Sequence, residues 1–560
     1  MRTLFFILGI LAINTASAQQ RTEAELRDIA AERLGMTTRS AASTIRLQKQ
    51  DSQIAVYGND DAFVVMARDS RHRPVLGYSY TKYDESNMPC GMKWWMEQAA
   101  KALAKAPTDE STTPEKAEYS VVAPFVNTLW NQTRPYNYSC PKEKLSDKDR
   151  CPTGCVATTM AQAMKYFGYP SSTDRTNVTY TVGSTEKNET MNATTYNWSS
   201  MKNSYRISEL QISSEVKAVS QIMYNAGRAA AMQYTAEGSG TNDYLMALAL
   251  TQVFKYDSLA LHRYDRMFFN DKEWSSIIYS TLERKQPVLL GGSTVDEEGH
   301  EFLLCGVDAD GLVYVNWGWG GEGDGYFDMM TPRYYSYTFS EYQSAVVGMR
   351  AQQTPDGQDK YQSMWVSDSI NYMTAPDPDL LLMQTTEMYN YSLLDFNGSL
   401  DLTLQDKNNP AIVKHLNIFS TRMDGIGTIG SLYGFYFVEE DEGDDGDAIY
   451  HVDTIAVEGL RNVPAGIYRM YLTSNEDRDT ERQAVRVPGG VQYATLKKLK
   501  DGTVLVSNDD VADIDVTYIR GRHDNNTASG ERTYTVGGRQ VNTHHPSLIT
   551  IENGRKYISR

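Results

Sequence analysis

Two of the five cysteines in this 560-residue chain stand four positions apart in "CPTGCVATTMAQAMKYFGYP", residues 151–170. A thiol in such a place can be a buried small hydrophobe, half of a disulfide, a metal ligand or a nucleophile. Val156, Met160, Ala163 or Met164, and Phe167 recur every three or four residues, which predicts a helix with one apolar stripe facing a core. Gly168 is suited to the C-terminal cap and Pro170 prevents continuation. Thr153 and Gly154 precede the run, so Cys155 falls in the first turn. There the unpaired N–H groups and the helix dipole favour a thiolate, and a neighbouring imidazolium can lower such a pKa to ~3.5–7.5.

A nucleophilic thiolate needs a proton acceptor, and the chain has only eight histidines. Of these, His262 and His300 lie between residues 120 and 352. His262, in "LALHRYDR", fits a partly exposed structural position. His300, in "GHEFLLCGVDADGLVYVNWGWGG", follows a glycine at the entry to an apolar strand. Asp310-Gly311 then makes a hairpin turn, and the returning strand delivers Asn316. An amide beside the imidazole would fix its tautomer, with Trp317 and Trp319 shielding the contact. The arrangement is Cys-His-Asn, with the nucleophile on a helix and the base on a sheet. No second Cys/His pair has zinc spacing, so neither a metal nor a cofactor is expected.

"TGCVATTMAQAMKYFGYP", "GHEFLLCGVDADGLVYVNWGWGGEGDGYF", "YQSAVVGMR" and "WNQTRPYN" resemble motifs of the streptopain family of secreted bacterial cysteine peptidases, which have a papain-like fold. The resemblance implies Cys155 as nucleophile and His300 as general base and acid. It places the Gln132 side-chain amide in the oxyanion hole with the Cys155 N–H, and Asn316 or Trp317 beside the histidine. "FVVMARDSRHRPVLGYS" and "SNMP" resemble the family's inhibitory pro-segment. The chain departs from the family at "TPRYYSYTFSE", where a glycine-rich loop bordering the cleft is expected, so side-chain preference does not transfer. Cys151 is a further departure; it can close a short disulfide with Cys140 or remain free.

These residues need a scaffold. Helical patterns early in residues 119–352 and strands late predict an α+β peptidase domain. Ahead of it, residues 1–18 read as a signal peptide, and residues 19–118 as a pro-domain ending in a cleavable linker rich in polar residues. Residues 353–520 alternate in short runs, predicting an all-β immunoglobulin-like sandwich. The acidic run Glu439–Asp447 lacks EF-hand spacing and reads as a solvated loop. Residues 521–560 resemble C-terminal secretion or surface signals of exported Bacteroidetes proteins.

A net charge of −17 disfavours nucleic acid, and no segment past the leader is apolar enough to span a bilayer. The expected protein is thus a secreted endopeptidase, made as a zymogen and routed through the periplasm, with a tail able to hold it at the cell surface. Its partners are protein or peptide substrates and its own pro-domain. Two other functions use the same scaffold: a non-catalytic adhesin or inhibitor, and an acyltransferase. The intact set of Cys155, His300, Asn316 and Gln132 argues against the binder, which has no physical need for all four.

Overall fold

The computed structural model describes residues 20–36, 38–105, 119–206, 212–293, 299–329, 343–351, 364–425, 433–442, 448–478, 481–514, 534–535, 549–552 and 555–558. The expected signal peptide, the linker at 106–118, most of the tail and the "TPRYYSYTFSE" segment lie outside these residues.

The N-terminal region opens with helix α1 (Glu23–Arg33), closed at its start by a capping box between Thr22 and Glu25. Strands β1 (Arg46–Gln50), β2 (Ile54–Gly58), β3 (Phe63–Ala67) and β4 (Val75–Ser79) follow, then helix α2 (Cys90–Lys105). Strands β2, β3 and β4 are buried at every position, because α1 covers one face and α2 the other. This explains why "FVVMA" shows no polar alternation.

The middle region contributes helices α3 (Cys155–Phe167), α4 (Ser214–Ala229), α5 (Asp243–Leu248) and α6 (Asp271–Glu283). The pattern that predicts one helix over "DYLMALALTQVF" instead gives α5 followed by a π-turn at Ala249–Val253. Its strands in the main sheet are β5 (His262–Asp265), β6 (Val288–Ser293), β7 (Gly299–Val307), β8 (Val313–Asn316), β9 (Gly325–Phe327) and β10 (Gln343–Val347). One ten-stranded sheet runs β1-β2-β3-β4-β9-β8-β7-β6-β10-β5. Its seam is β4 against β9, with Tyr78 paired to Tyr326. The N-terminal region is therefore not merely tethered; it extends the sheet of the middle region by four strands.

Helix α3 lies between this sheet and α4. Val156 through Met164 are all buried, so the predicted apolar stripe is in fact burial on every side. Gly168 caps the helix in the left-handed conformation at φ +60°, as its sequence position suggests.

Residues 364–514 form antiparallel sheets around a separate core, the largest containing β11 (Phe396–Asp406), β12 (Val413–Met423), β13 (Gly466–Glu476), β14 (Ala494–Lys498) and β15 (Val504–Ser507). This region docks on the middle one. Arg486 makes a bidentate ion pair with Glu273 at 3.0 and 3.1 Å and stacks on Phe269. The acidic run is not simply a loop: Val438–Glu442 is a strand paired with Ala448–Val452, and residues 443–447 lie outside the described set.

Candidate active site

Cys155 is the first residue of α3, and its position depends on the glycine before it. Gly154 has φ +86°, and a Cβ there would stand 2.7 Å from the Ser239 carbonyl and 2.8 Å from Met232. Only glycine gives the chain this entry into the helix. The Thr153 N–H donates to the Gln132 carbonyl at 2.9 Å, which fastens half-buried Gln132 to the segment just ahead of the thiol.

The backbone N–H groups of Glu301, Val156 and Cys155 itself favour the thiolate. Burial opposes them and prevails, helped by the Glu301 carboxylate, so the thiol is pushed up to about 11. Helix position alone predicts the opposite direction. The helix N-terminus acts as expected, but burial of the sulfur outweighs it.

Strand alternation explains where the imidazole is. Leu303 pairs with Asn316 across β7 and β8, and Gly292 pairs with His300 across β6 and β7. Directly paired residues share a face and successive residues alternate. Glu301, Leu303 and Asn316 therefore lie on the α3 side, where Thr159 of α3 donates to the Glu301 carbonyl. His300 and Phe302 lie on the other side, against α2. A Cβ on Gly292, the partner of His300, would stand 2.4 Å from Trp94, and one on Gly91 would stand 2.9 Å from Trp317. Trp95 anchors the same helix by donating to the Asp328 carbonyl at 3.0 Å.

The two expected partners of His300 are separated by the same alternation. Trp317 is on the His300 face, packed on Phe302 at 4.8 Å, with its indole N–H on the Gly323 carbonyl. Asn316 is buried on the α3 face. Its amide nitrogen donates to the Thr128 carbonyl at 2.7 Å, and its oxygen accepts from Gln162 and from the Gly318 N–H, both at 3.0 Å. In this state Asn316 braces α3 against β8 and does not orient the imidazole.

A profile described as the Peptidase C10 family matches residues 130–327, a span that holds Gln132, Cys155, His300, Asn316 and Trp317. Streptopain from Streptococcus pyogenes is 30% identical over 329 residues, which cover 53% of this chain and 81% of that protein. The chain belongs to the Peptidase C10 family. It is a cysteine-type peptidase. The thiol protease/hemagglutinin PrtT of Porphyromonas gingivalis is 29% identical over 59% of this C10 chain, but the match spans only 42% of PrtT. A solved fragment of prointerpain A from Prevotella intermedia is 30% identical, with a TM-score of 0.48 over 55% of this chain and 99% of that one.

The remaining candidates separate clearly. His262 sits on β5, stacks on Tyr264 and is lowered to about 4 by burial, as a structural histidine would be. Cys140 and Cys151 are both free and buried, so the disulfide that their spacing allows is not formed. Burial pushes the Cys140 thiol up to about 12. Sequence reasoning missed Gln162, a fully buried polar residue inside the apolar pattern of α3. That interruption was the available signal. It also missed Glu301, a carboxylate inside the strand pattern next to His300.

Proposed function

We propose that this C10 peptidase is a secreted endopeptidase made as a latent precursor. Cys155 is its nucleophile, His300 its general base and acid, Gln132 its oxyanion donor with the Cys155 N–H, and Asn316 and Trp317 its histidine-positioning residues. The observation that carries the reading is the junction of α3 and β7. The thiol sits at the start of a buried helix, backbone N–H groups near its sulfur favour the thiolate, and the histidine is the second residue of the adjoining strand. In the reaction the thiolate attacks a peptide carbonyl and the oxyanion is held by Gln132. His300 protonates the leaving amine and then takes a proton from the water that releases the acyl group.

Residues 19–118 serve as the pro-domain in this reading, and 119–352 as the papain-like peptidase domain, followed by an immunoglobulin-like region at 353–520 and a tail at 521–560. Support for latency comes from α2, whose Trp94 covers Gly292 on the His300 face, and from the raised thiol. Export through the periplasm and attachment through the tail belong to the same proposal. Among the described residues, no helix is long and apolar enough to cross a membrane.

The test is incubation of full-length protein with an unfolded protein under reducing conditions, with and without an epoxysuccinyl thiol inhibitor, beside Cys155→Ala. Inhibitor-sensitive fragments and a Cys155→Ala precursor that persists are expected. Cross-linked products in place of fragments would favour acyl transfer, and neither product would leave the binding reading.

A further inference from the structure

The proposed catalytic set leaves one ionisable side chain unexplained at the thiol. Glu301 is 5% exposed, and its Oε1 is buried with no hydrogen-bond partner. It stands on the α3 side of β7, where Thr159 donates to its carbonyl, and it acts electrostatically on the Cys155 thiol. An unpaired carboxyl in such surroundings is costly and is normally matched by a cation or a set of donors.

The cation that acts on this carboxyl, Arg263, is already committed. Arg263 donates from both terminal nitrogens to Asp265, at 2.8 and 2.7 Å, and its Nε lies 2.9 Å from Asp243. Its guanidinium also lies over the Tyr244 ring at 3.6 Å. Tyr391 of the C-terminal β region completes this shell through Tyr244 and Asp265. Asp243 and Asp265 thus take up the one arginine, and the Glu301 carboxyl, pushed well above the usual carboxylate range by burial and then by Asp243, is left without a donor of its own. The strand next to Glu301 adds no bulk: Gly291 faces it, and a Cβ there would stand 2.8 Å from Glu301 Oε2 and 2.9 Å from Ser344 Oγ.

We propose that Glu301 is a specificity-determining residue, whose carboxylate receives the cationic side chain of an arginine or lysine in one of the substrate residues adjoining the scissile bond. The inference rests on the peptidase reading above. Asp243 and Asp265 keep Arg263 from pairing with Glu301, and Tyr391 ties that group to the β region; the entering cation draws the proton off the buried Glu301 acid to solvent. No covalent step is added: the substrate cation supplies the partner that the protein lacks.

The test uses the full-length protein after it has matured under reducing conditions, with a pool of peptides in which each position from three residues before the scissile bond to one after it is varied. Wild type is expected to favour Arg or Lys over Leu at one of these positions by at least tenfold in kcat/KM. Glu301→Gln, nearly identical in shape, should lower that ratio at least tenfold, and Glu301→Leu should reverse it. If every peptide is left intact by wild type as by Cys155→Ala, the peptidase reading itself fails. If peptides are cleaved without a basic preference, or the preference survives Glu301→Gln, the specificity inference alone is overturned. Should both Glu301 variants fail to mature, Tyr391→Phe supplies the remaining readout. Loss of its hydroxyl should shift the Arg-to-Leu ratio by at least twofold, and an unchanged ratio counts against the inference.

Discussion

In the latent precursor, Cys155 should be a slow nucleophile for reasons that can be put into numbers. Alkylation proceeds through the thiolate. With the thiol at about 11, the thiolate fraction at pH 8 is about one in a thousand, against about one quarter for an unfolded cysteine of pKa ~8.5. The ratio is about 250-fold before any steric protection is counted. The sign in pH follows: the folded rate should rise about tenfold per unit from pH 7 to 10, whereas the unfolded rate levels off above ~8.5.

The measurement is iodoacetamide labelling of full-length precursor, quenched at intervals, with peptide mapping by mass spectrometry in buffer and in urea. Cys90 is exposed and reports on reagent access within the same molecule. Maturation should raise Cys155 labelling at pH 6 by at least a hundredfold, because an imidazolium beside the sulfur favours the thiolate that burial now disfavours. Labelling of Cys155 in folded precursor within threefold of its rate in urea would refute burial as the source of its slowness.

Trp94→Ala removes the indole that covers Gly292 and about 3–5 kcal/mol of packing; the precursor should disappear faster on a gel time course, and an unchanged rate would detach α2 from latency. Asn316→Ala strands the Thr128 carbonyl and the Gln162 amide in a buried site, so urea unfolding should show a loss of about 2–3 kcal/mol. Arg486→Ala should loosen the C-terminal region by about 1–2 kcal/mol through its ion pair and aromatic contact, seen as earlier proteolytic release of residues after 352. Arg486→Lys should recover less than half of that, because it cannot pair bidentately with Glu273.

The sequence was most legible where local rules act alone. The start and end of α3 followed from Gly154, Gly168 and the apolar spacing, and the β7–β8 hairpin followed from Asp310-Gly311. Both lie where the spacing predicts. What could not be read was pairing between distant segments. Nothing local in "RPVLGYSY" says that Tyr78 will pair with Tyr326, 248 positions away. "FVVMA" and "VLGYS" read as a strand pair, but the partner strand Ile54–Gly58 and the second cover, α2, are tertiary choices. Gln162 and Glu301 were overlooked for a related reason. Each breaks an apolar pattern by one residue, and only the fold shows that the first is satisfied by Asn316 while the second is left open.

If His300 and Glu301 act as proposed, alternation in β7 links latency to substrate choice. A strand can bring His300 to the Cys155 face in two ways, and they have different consequences. Sliding all of β7 by one residue would turn every side chain over: Glu301 would leave the thiol, and Leu303 would lose its pairing opposite Asn316. It would also break the bond from Thr159 to the Glu301 carbonyl and drive Phe302 out of its contact with Trp317. A bulge confined to Gly299–His300 re-aims one side chain and leaves the ladder beyond it intact. Glycine at 299 suits such a change, and His300 is the second residue of the strand, where little pairing is lost. The bulge therefore costs far less than the slide, and it keeps Glu301 beside the nucleophile as the imidazole arrives. On this reasoning the α2 tryptophans hold back only the histidine, and Glu301 already has its place on the α3 face in the precursor.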